Sequence, residues 1–170
     1  MKIVLSPYDL TWATSFDRID AQIREVLGDD ALTVEHVGST AVCGLLSKPV
    51  IDVLLVVADS TCEAAYREPL RQAEFEFQLR EPAWHEHRLF RRTDPTSNLH
   101  VFSAGCPEIQ RMLRFRDLLR SDRGSREAYQ SRKRELAAMT WDSVQDYADA
   151  KSSTVESLLA STRSSETRRT

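Results

Sequence analysis

Residues 35–57 read EHVGSTAVCGLLSKPVIDVLLVV, and the reading of this stretch decides the fold. A β-branched run, LTVEHV at 32–37, ends at Gly38-Ser39. A second run, VIDVLLVV at 50–57, is apolar at every position except Asp52. Alternate residues of a strand share a face, so Val50, Asp52, Leu54 and Val56 lie on one side and Ile51, Val53, Leu55 and Val57 on the other. Apolar residues on both faces mark a central strand covered on both sides. An unpaired carboxylate there is costly, so Asp52 requires a cation, a basic side chain or backbone N–H groups. The linker at 38–49, GSTAVCGLLSKP, has room for a single helical turn closed by Pro49.

Outward from this pair of strands, the period of the apolar residues sets the other elements. At 11–27, Trp12, Phe16, Ile19, Ile23, Val26 and Leu27 recur at spacings of three and four, which predicts an amphipathic helix stopped by Gly28. Ser60 with Glu63 forms a capping-box pattern before a helix at 61–72, which Pro69 breaks or restarts. FEFQLR at 75–80, HRLFRR at 87–92 and NLHVFS at 98–103 read as strands, the last two joined by a turn at TDPTSN as a hairpin. From Pro107, which suits a first helical turn, helices are expected at 107–121, 125–139 and 141–160, separated at Gly124 and at Thr140-Trp141-Asp142. The polar stretch 161–170, STRSSETRRT, is expected to be disordered. The sum is one α/β (α+β) domain over 1–160, with a small mixed β-sheet, an N-terminal helix and C-terminal helices.

The chain has 170 residues, 41% apolar and 29% charged, with a formal net charge of -3. This is the balance of a soluble domain with one core. It argues against a broad nucleic-acid-binding surface and leaves room for a local basic pocket. MKIVLSPYD is not a signal peptide, and no apolar run approaches the roughly 18 residues that span a bilayer. Cys43, Cys62 and Cys106 are far apart and odd in number. They read as reduced thiols of a cytoplasmic protein.

Chemistry-bearing residues gather around the opening stretch. Glycine lets the backbone approach an anion, and amides at a helix start point toward it. Gly38-Ser39 is therefore either a phosphate turn, with Ser39 adding a donor, or a plain turn with a serine N-cap. His36 shares a face with Val34 and reads as hydrogen-bonded structure. His85-Glu86-His87 is a candidate transition-metal patch. Arg116 lies four residues after Met112 and three before Leu119, Lys133 four after Tyr129, and Lys151 four after Tyr147, each inside an apolar helical stripe. Either these stems snorkel, or three consecutive helices turn a positive pocket toward the sheet, completed by Lys48 and Arg88. A triphosphate or another polyanion suits such a pocket.

A strand, Gly-Ser, a short helix and an aspartate on the next strand resemble the polymerase-β-type nucleotidyltransferase core. The wider wording, HVGSTAVCGLLSKPVIDV with PYDLTW, HRLFRR, NLHVF, FRDLLR and YADAK, resembles the GrpB family from about Leu5 to Leu159. Related domains occur fused to dephospho-coenzyme A kinase in some bacteria. The resemblance implies a nucleoside triphosphate or other phosphorylated small molecule with its phosphates on Gly38 and Ser39. It also implies Mg²⁺ or Mn²⁺ on Asp52 and nucleotidyl transfer to an acceptor hydroxyl. Two departures stand out. The superfamily pairs carboxylates at alternate positions of the strand, and here Leu54 holds the second place. A third carboxylate on a later strand is replaced by His100. Glu86 is then the candidate for a second metal carboxylate, Glu35 a poorer one, and Asp52 or His100 the candidate base. The missing carboxylate favours an alternative, a non-catalytic nucleotide- or anion-binding regulatory module. The histidine patch leaves a third, a transition-metal hydrolase.

Overall fold

The structure, a computed structural model, describes residues 1–167, apart from the side chains at 144 and 162–167. In chain order the elements are α1 (Thr11–Leu27), β1 (Thr33–Val37), β2 (Ile51–Val57), α2 (Arg67–Gln72), β3 (Glu76–Glu81), β4 (His87–Arg92), β5 (Ser97–Ser103), α3 (Pro107–Ser121), α4 (Arg123–Ala137) and α5 (Val144–Thr167). The five strands form one mixed sheet in the order β1-β2-β5-β4-β3. β2 and β5 are parallel, and every other pairing is antiparallel. A parallel pair needs a long crossover. Here α2, β3 and β4 supply it, and β4 returns into β5 as the expected hairpin.

The ladder registers decide which residues meet. Val37 lies opposite Asp52, Asp52 opposite Asn98, and Leu89 opposite His100. Asp52, Asn98, His100, Leu89 and Arg91 therefore share one face of the sheet. The other face carries Ile51, Val53, Leu55, Phe90, Leu99 and Val101, packed against Ile19 and Ile23 of α1 and Leu70 of α2. On the Asp52 face, Val37, Leu54, Val56 and Phe102 pack against Ile109 of α3. β2 is thus covered on both sides except where Asp52 opens onto a cavity.

Several local expectations are corrected. Ser60 is not a helix cap: it is buried, and its hydroxyl donates to the Glu86 carbonyl at 2.8 Å. Asp59 starts that turn by accepting the Thr61 amide. The segment splits into a 3₁₀ turn at Glu63–Ala65 and the short α2, with Pro69 in its first turn, where a missing N–H costs nothing. Gly124 lies inside α4. The break before it is made by Asp122, whose carboxylate accepts the Ser125 amide at 2.7 Å as an N-cap. α5 runs as far as Thr167, across most of the stretch expected to be disordered, and residues 168–170 lie outside the described residues. Among the described residues, no helix is long and apolar enough to cross a membrane.

Candidate functional site

A cavity of about 400 Å³ lies between the Asp52 face of the sheet and the C-terminal helices. The 38–50 linker contributes Gly38, Ser39 and Lys48, the sheet Asp52, Asn98 and His100, α4 Lys133, and α5 Tyr147 and Lys151. Among the described residues, Asp52 is the single carboxylate in its lining.

At its floor, Asp52 Oδ1 accepts a hydrogen bond from Asn98 Nδ2 at 3.0 Å and lies 3.7 Å from His100 Nε2. Arg91 Nε in turn donates to Asn98 Oδ1 at 3.3 Å. Burial favours the neutral acid at Asp52. The hydrogen-bonding and charge of His100, the Asn98 amide and the charge of Lys151 outweigh it and hold the carboxyl below its usual range. The backbone of Gly38 sits directly on this carboxylate. A Cβ at Gly38 would stand 3.0 Å from Asp52 Cβ and 3.1 Å from its Cγ, and would overlap Oδ2. Gly38 also has φ 70°, in the left-handed region. So the anion that the glycine lets approach is first of all the protein's own.

Three lysines form the roof. Lys48 Nζ lies 5.6 Å and Lys151 Nζ 4.4 Å from the centroid of the Tyr147 ring. Lys133, 2% exposed, donates to the Leu46 carbonyl. Burial, and next the Lys151 charge, push Lys133 down to about 7 against the pull of Asp52. Burial and Lys48 push Lys151 down to about 8. Burial also lowers Lys48. Tyr147 is 1% exposed and lines the cavity, and among the described residues its buried hydroxyl has no hydrogen-bond partner. A buried unpaired hydroxyl costs roughly 1–3 kcal/mol.

Behind His100 stands a second histidine. His87, 2% exposed, places Nδ1 2.7 Å from Glu81 Oε2 and Nε2 3.1 Å from His100 Nδ1. Burial, then the charges of His100 and Arg88, push His87 down to about 3, so it is neutral near pH 7. An ionised Glu81 only accepts, so His87 donates from Nδ1 and accepts at Nε2. His100 must then donate from Nδ1, which turns its Nε2 toward Asp52 and the cavity.

The structure brings together Gly38, Ser39, Lys48, Asp52, His100, Lys133 and Lys151 from the expected set. It leaves three out. Arg88 lies on the opposite face of β4 and pairs with Glu63 at 2.6 Å. Glu86 is turned to Arg88 at 3.1 Å and does not reach Asp52. Arg116 is held by Glu35 at 2.6 Å and by the His36 carbonyl at 3.0 Å. His36 is structural as expected: it is buried, bonded to Thr40 Oγ1 at 3.0 Å and stacked on Phe16. His85-Glu86-His87 does not converge, since His87 is engaged with Glu81 and His100. Among the described residues, no group of three or more His, Cys, Asp or Glu side chains could hold a metal. One carboxylate with an amide and an imidazole does not fit a Mg²⁺ or Mn²⁺ ion held by the protein alone. Asn98, Arg91 and Tyr147 were missed. Asn98 was within reach, because it lies two residues before His100 and shares its face.

The profile of the GrpB protein family matches residues 2–161. A UPF0157 protein of Halalkalibacterium halodurans is 52% identical over 157 residues, covering 92% of this chain and 80% of that protein. A UPF0157 protein of Streptomyces coelicolor is 40% identical, covering 91% and 81%. A dephospho-CoA kinase of Mycobacterium tuberculosis is 30% identical over 152 residues, 37% of its length. The crystal structure of the conserved protein GrpB from Enterococcus faecalis superposes with a TM-score of 0.75 at 24% identity, covering 91% of this chain and 98% of that one. The Cid1 poly(U) polymerase with Mg 3'-dATP bound superposes at 0.53 and 13% identity, over 78% of this chain and 44% of its own, which is a likeness of fold.

Proposed function

The chain belongs to the GrpB family, and from that premise we propose that its cavity binds a nucleotide, or a comparably phosphorylated small molecule, by the phosphates. One observation carries this reading: Lys48, Lys133 and Lys151 line one cavity together with the Gly38-Ser39 turn, and Lys48 and Lys151 lie over the ring of Tyr147. Three ammonium groups facing one carboxylate, two of them pushed toward neutrality by burial, are poorly compensated until an anion arrives. The likeness of fold to Cid1 supports this reading, and transfer to an acceptor hydroxyl is the reaction that suits it. The lysines take the charge-neutralising part that a second carboxylate with its metal would play. Mg²⁺ or Mn²⁺ would enter with the nucleotide. Leu54 favours the reading in which binding serves regulation without turnover.

Thermal shift and titration with ATP, CTP, GTP and UTP, each with and without Mg²⁺ or Mn²⁺, test the proposal. At least one nucleotide should stabilise the wild type without metal. Lys151→Met should weaken binding at least tenfold. Tyr147→Phe should weaken it about tenfold, the worth of one hydrogen bond to a charged oxygen, with no loss of intrinsic Tm. Asp52→Ala should bind metal-free nucleotide at least as well as wild type. Stabilisation that requires metal and disappears in Asp52→Ala would instead establish a metal site. No response to any nucleotide defeats the reading.

A further inference from the structure

The cavity is one lobe of a longer cleft. A second lobe, of about 670 Å³, shares Leu79, Leu89, His100, Gln145 and Ala148 with the first. Its own walls include Trp84 and the carboxylates Glu81, Glu108, Asp149 and Glu156, with Arg111, among the described residues, the one cationic side chain. The His100 ring stands on the boundary. The first lobe is cationic and the second is not, so a polyphosphate is sorted into the first. The second is left to a neutral or cationic molecule.

We propose that His100 is the proton-accepting residue of a transfer reaction, positioned by Glu81 and His87, in which a hydroxyl-bearing acceptor in the second lobe attacks the α-phosphorus of a nucleoside triphosphate held in the first. The proposal rests on the phosphate-binding reading above. The step balances as follows. The acceptor oxygen forms a bond to the α-phosphorus, its proton passes to His100 Nε2, and the bond to the bridging oxygen breaks. Pyrophosphate leaves with its charge met by the lysines.

The geometry fixes which nitrogen takes the proton. The Glu81–His87–His100 chain, with contacts of 2.7 and 3.1 Å, commits the Nδ1 hydrogen of His100 to His87. The basic Nε2 then faces the cleft, and the imidazolium formed there finds the Asp52 carboxylate 3.7 Å away. His87 and His100 are stacked, with ring centroids 5.2 Å apart, and His87 is further wedged by Trp84 and Phe102 at 4.8 Å. The ring of His100 therefore rests on a rigid support. Asp52 is the weaker candidate for this part, because its Oδ1 already accepts from Asn98. The titratable and charged groups that line the two lobes with His100 are Asp52 on β2, Lys48 in the linker, Glu81 on β3, His87 and Arg91 on β4, Glu108 and Arg111 on α3, Lys133 on α4, and Asp149, Lys151 and Glu156 on α5.

Two measurements decide it. The first is pyrophosphate release from ATP, CTP, GTP and UTP with water or glycerol as acceptor, followed against pH. The second is ¹⁵N NMR of the histidine rings, assigned with His36→Gln, His85→Gln and His100→Ala. Wild type should release pyrophosphate from the nucleotide it binds. His100→Ala should slow release about 100-fold, in the range of general base catalysis, with the nucleotide Kd unchanged within a factor of two. His87→Phe should keep nucleotide affinity, slow release about tenfold and abolish the fixed Nδ1–H form of His100. Bound nucleotide without release, release in His100→Ala as fast as in wild type, or an Nε2–H form of neutral His100 would each overturn the proposal while leaving the binding site intact. Failure of every nucleotide to bind would instead remove the reading on which it rests.

Discussion

At the scale of the residue, Gly38 and Asp52 are one unit. The glycine's left-handed φ and the carboxylate resting on its Cα face the same substitution. Gly38→Ala is expected to cost about 1 kcal/mol for the backbone and about 2 kcal/mol more for displacing the carboxylate. Tm should fall by roughly 6–12 °C in calorimetry. In an Asp52→Ala background the second part disappears, and the same change should cost only about 1 kcal/mol. An additive double mutant would show that the two residues are independent. The need of Asp52 for a partner was legible in the sequence, because an acid alone in VIDVLLVV has to be compensated. The identity of the partners was not. Asn98 and His100 come from a strand 46 residues away whose parallel register the sequence does not state.

At the scale of the element, β4 carries two unrelated jobs on its two faces. Arg88 pairs with Glu63 beneath the sheet, while Arg91, three residues on and so on the opposite face, reaches Asn98 beside the cavity. Arg88→Met should lose about 2 kcal/mol of stability, because a buried pair is broken on one side, with nucleotide affinity unchanged. Arg91→Met should stay within about 0.5 kcal/mol of wild-type stability and bind nucleotide about fivefold more weakly. Denaturant unfolding together with titration checks both, and the reverse pattern would mean that the face assignment is wrong. This is also where sequence reading ran out. Apolar period located α1 and α3 at their observed ends and each strand to within one residue, because period is a local property. It says which residues of one strand share a face, but not how two strands are phased. The pairing of Leu89 with His100 sets that phase and sends Arg88 away from Asp52. Arg116 failed for a related reason: α3 lies over β1, so its stripe meets Glu35. Lys133 and Lys151 do line the cavity, since α4 and α5 turn those stripes to it. Tyr147 was hidden by the same logic, since a core position on α5 also lines the cavity.

At the scale of the whole molecule, the cavity trades stability against binding. The unfolded chain keeps Lys133 protonated up to its ordinary pKa of 10.5, whereas the folded protein releases that proton near 7. Between those values the unfolded state binds more protons, so stability rises with pH across that window. Lys151 adds to this above about 8. Lys133→Met should therefore raise Tm by a few degrees at pH 6–7, with the advantage shrinking as pH rises toward 10. It should also weaken nucleotide binding at least tenfold. Tm measured across that range in wild type and variant checks both, and a lower Tm for the variant at pH 7 would refute the trade. Leu54 has a different standing. It is fully buried in the seam that Val37, Val56 and Phe102 form with Ile109. Leu54→Asp would put a charge where no water reaches and should cost at least about 4 kcal/mol, read as loss of soluble folded protein. A second carboxylate on β2 is thus out of reach of any one-step change, because α3 would first have to lift off the strand. The seam acts as a ratchet on the sequence: once the helix has closed over the leucine, further adaptation of this pocket is confined to its lysines and histidines.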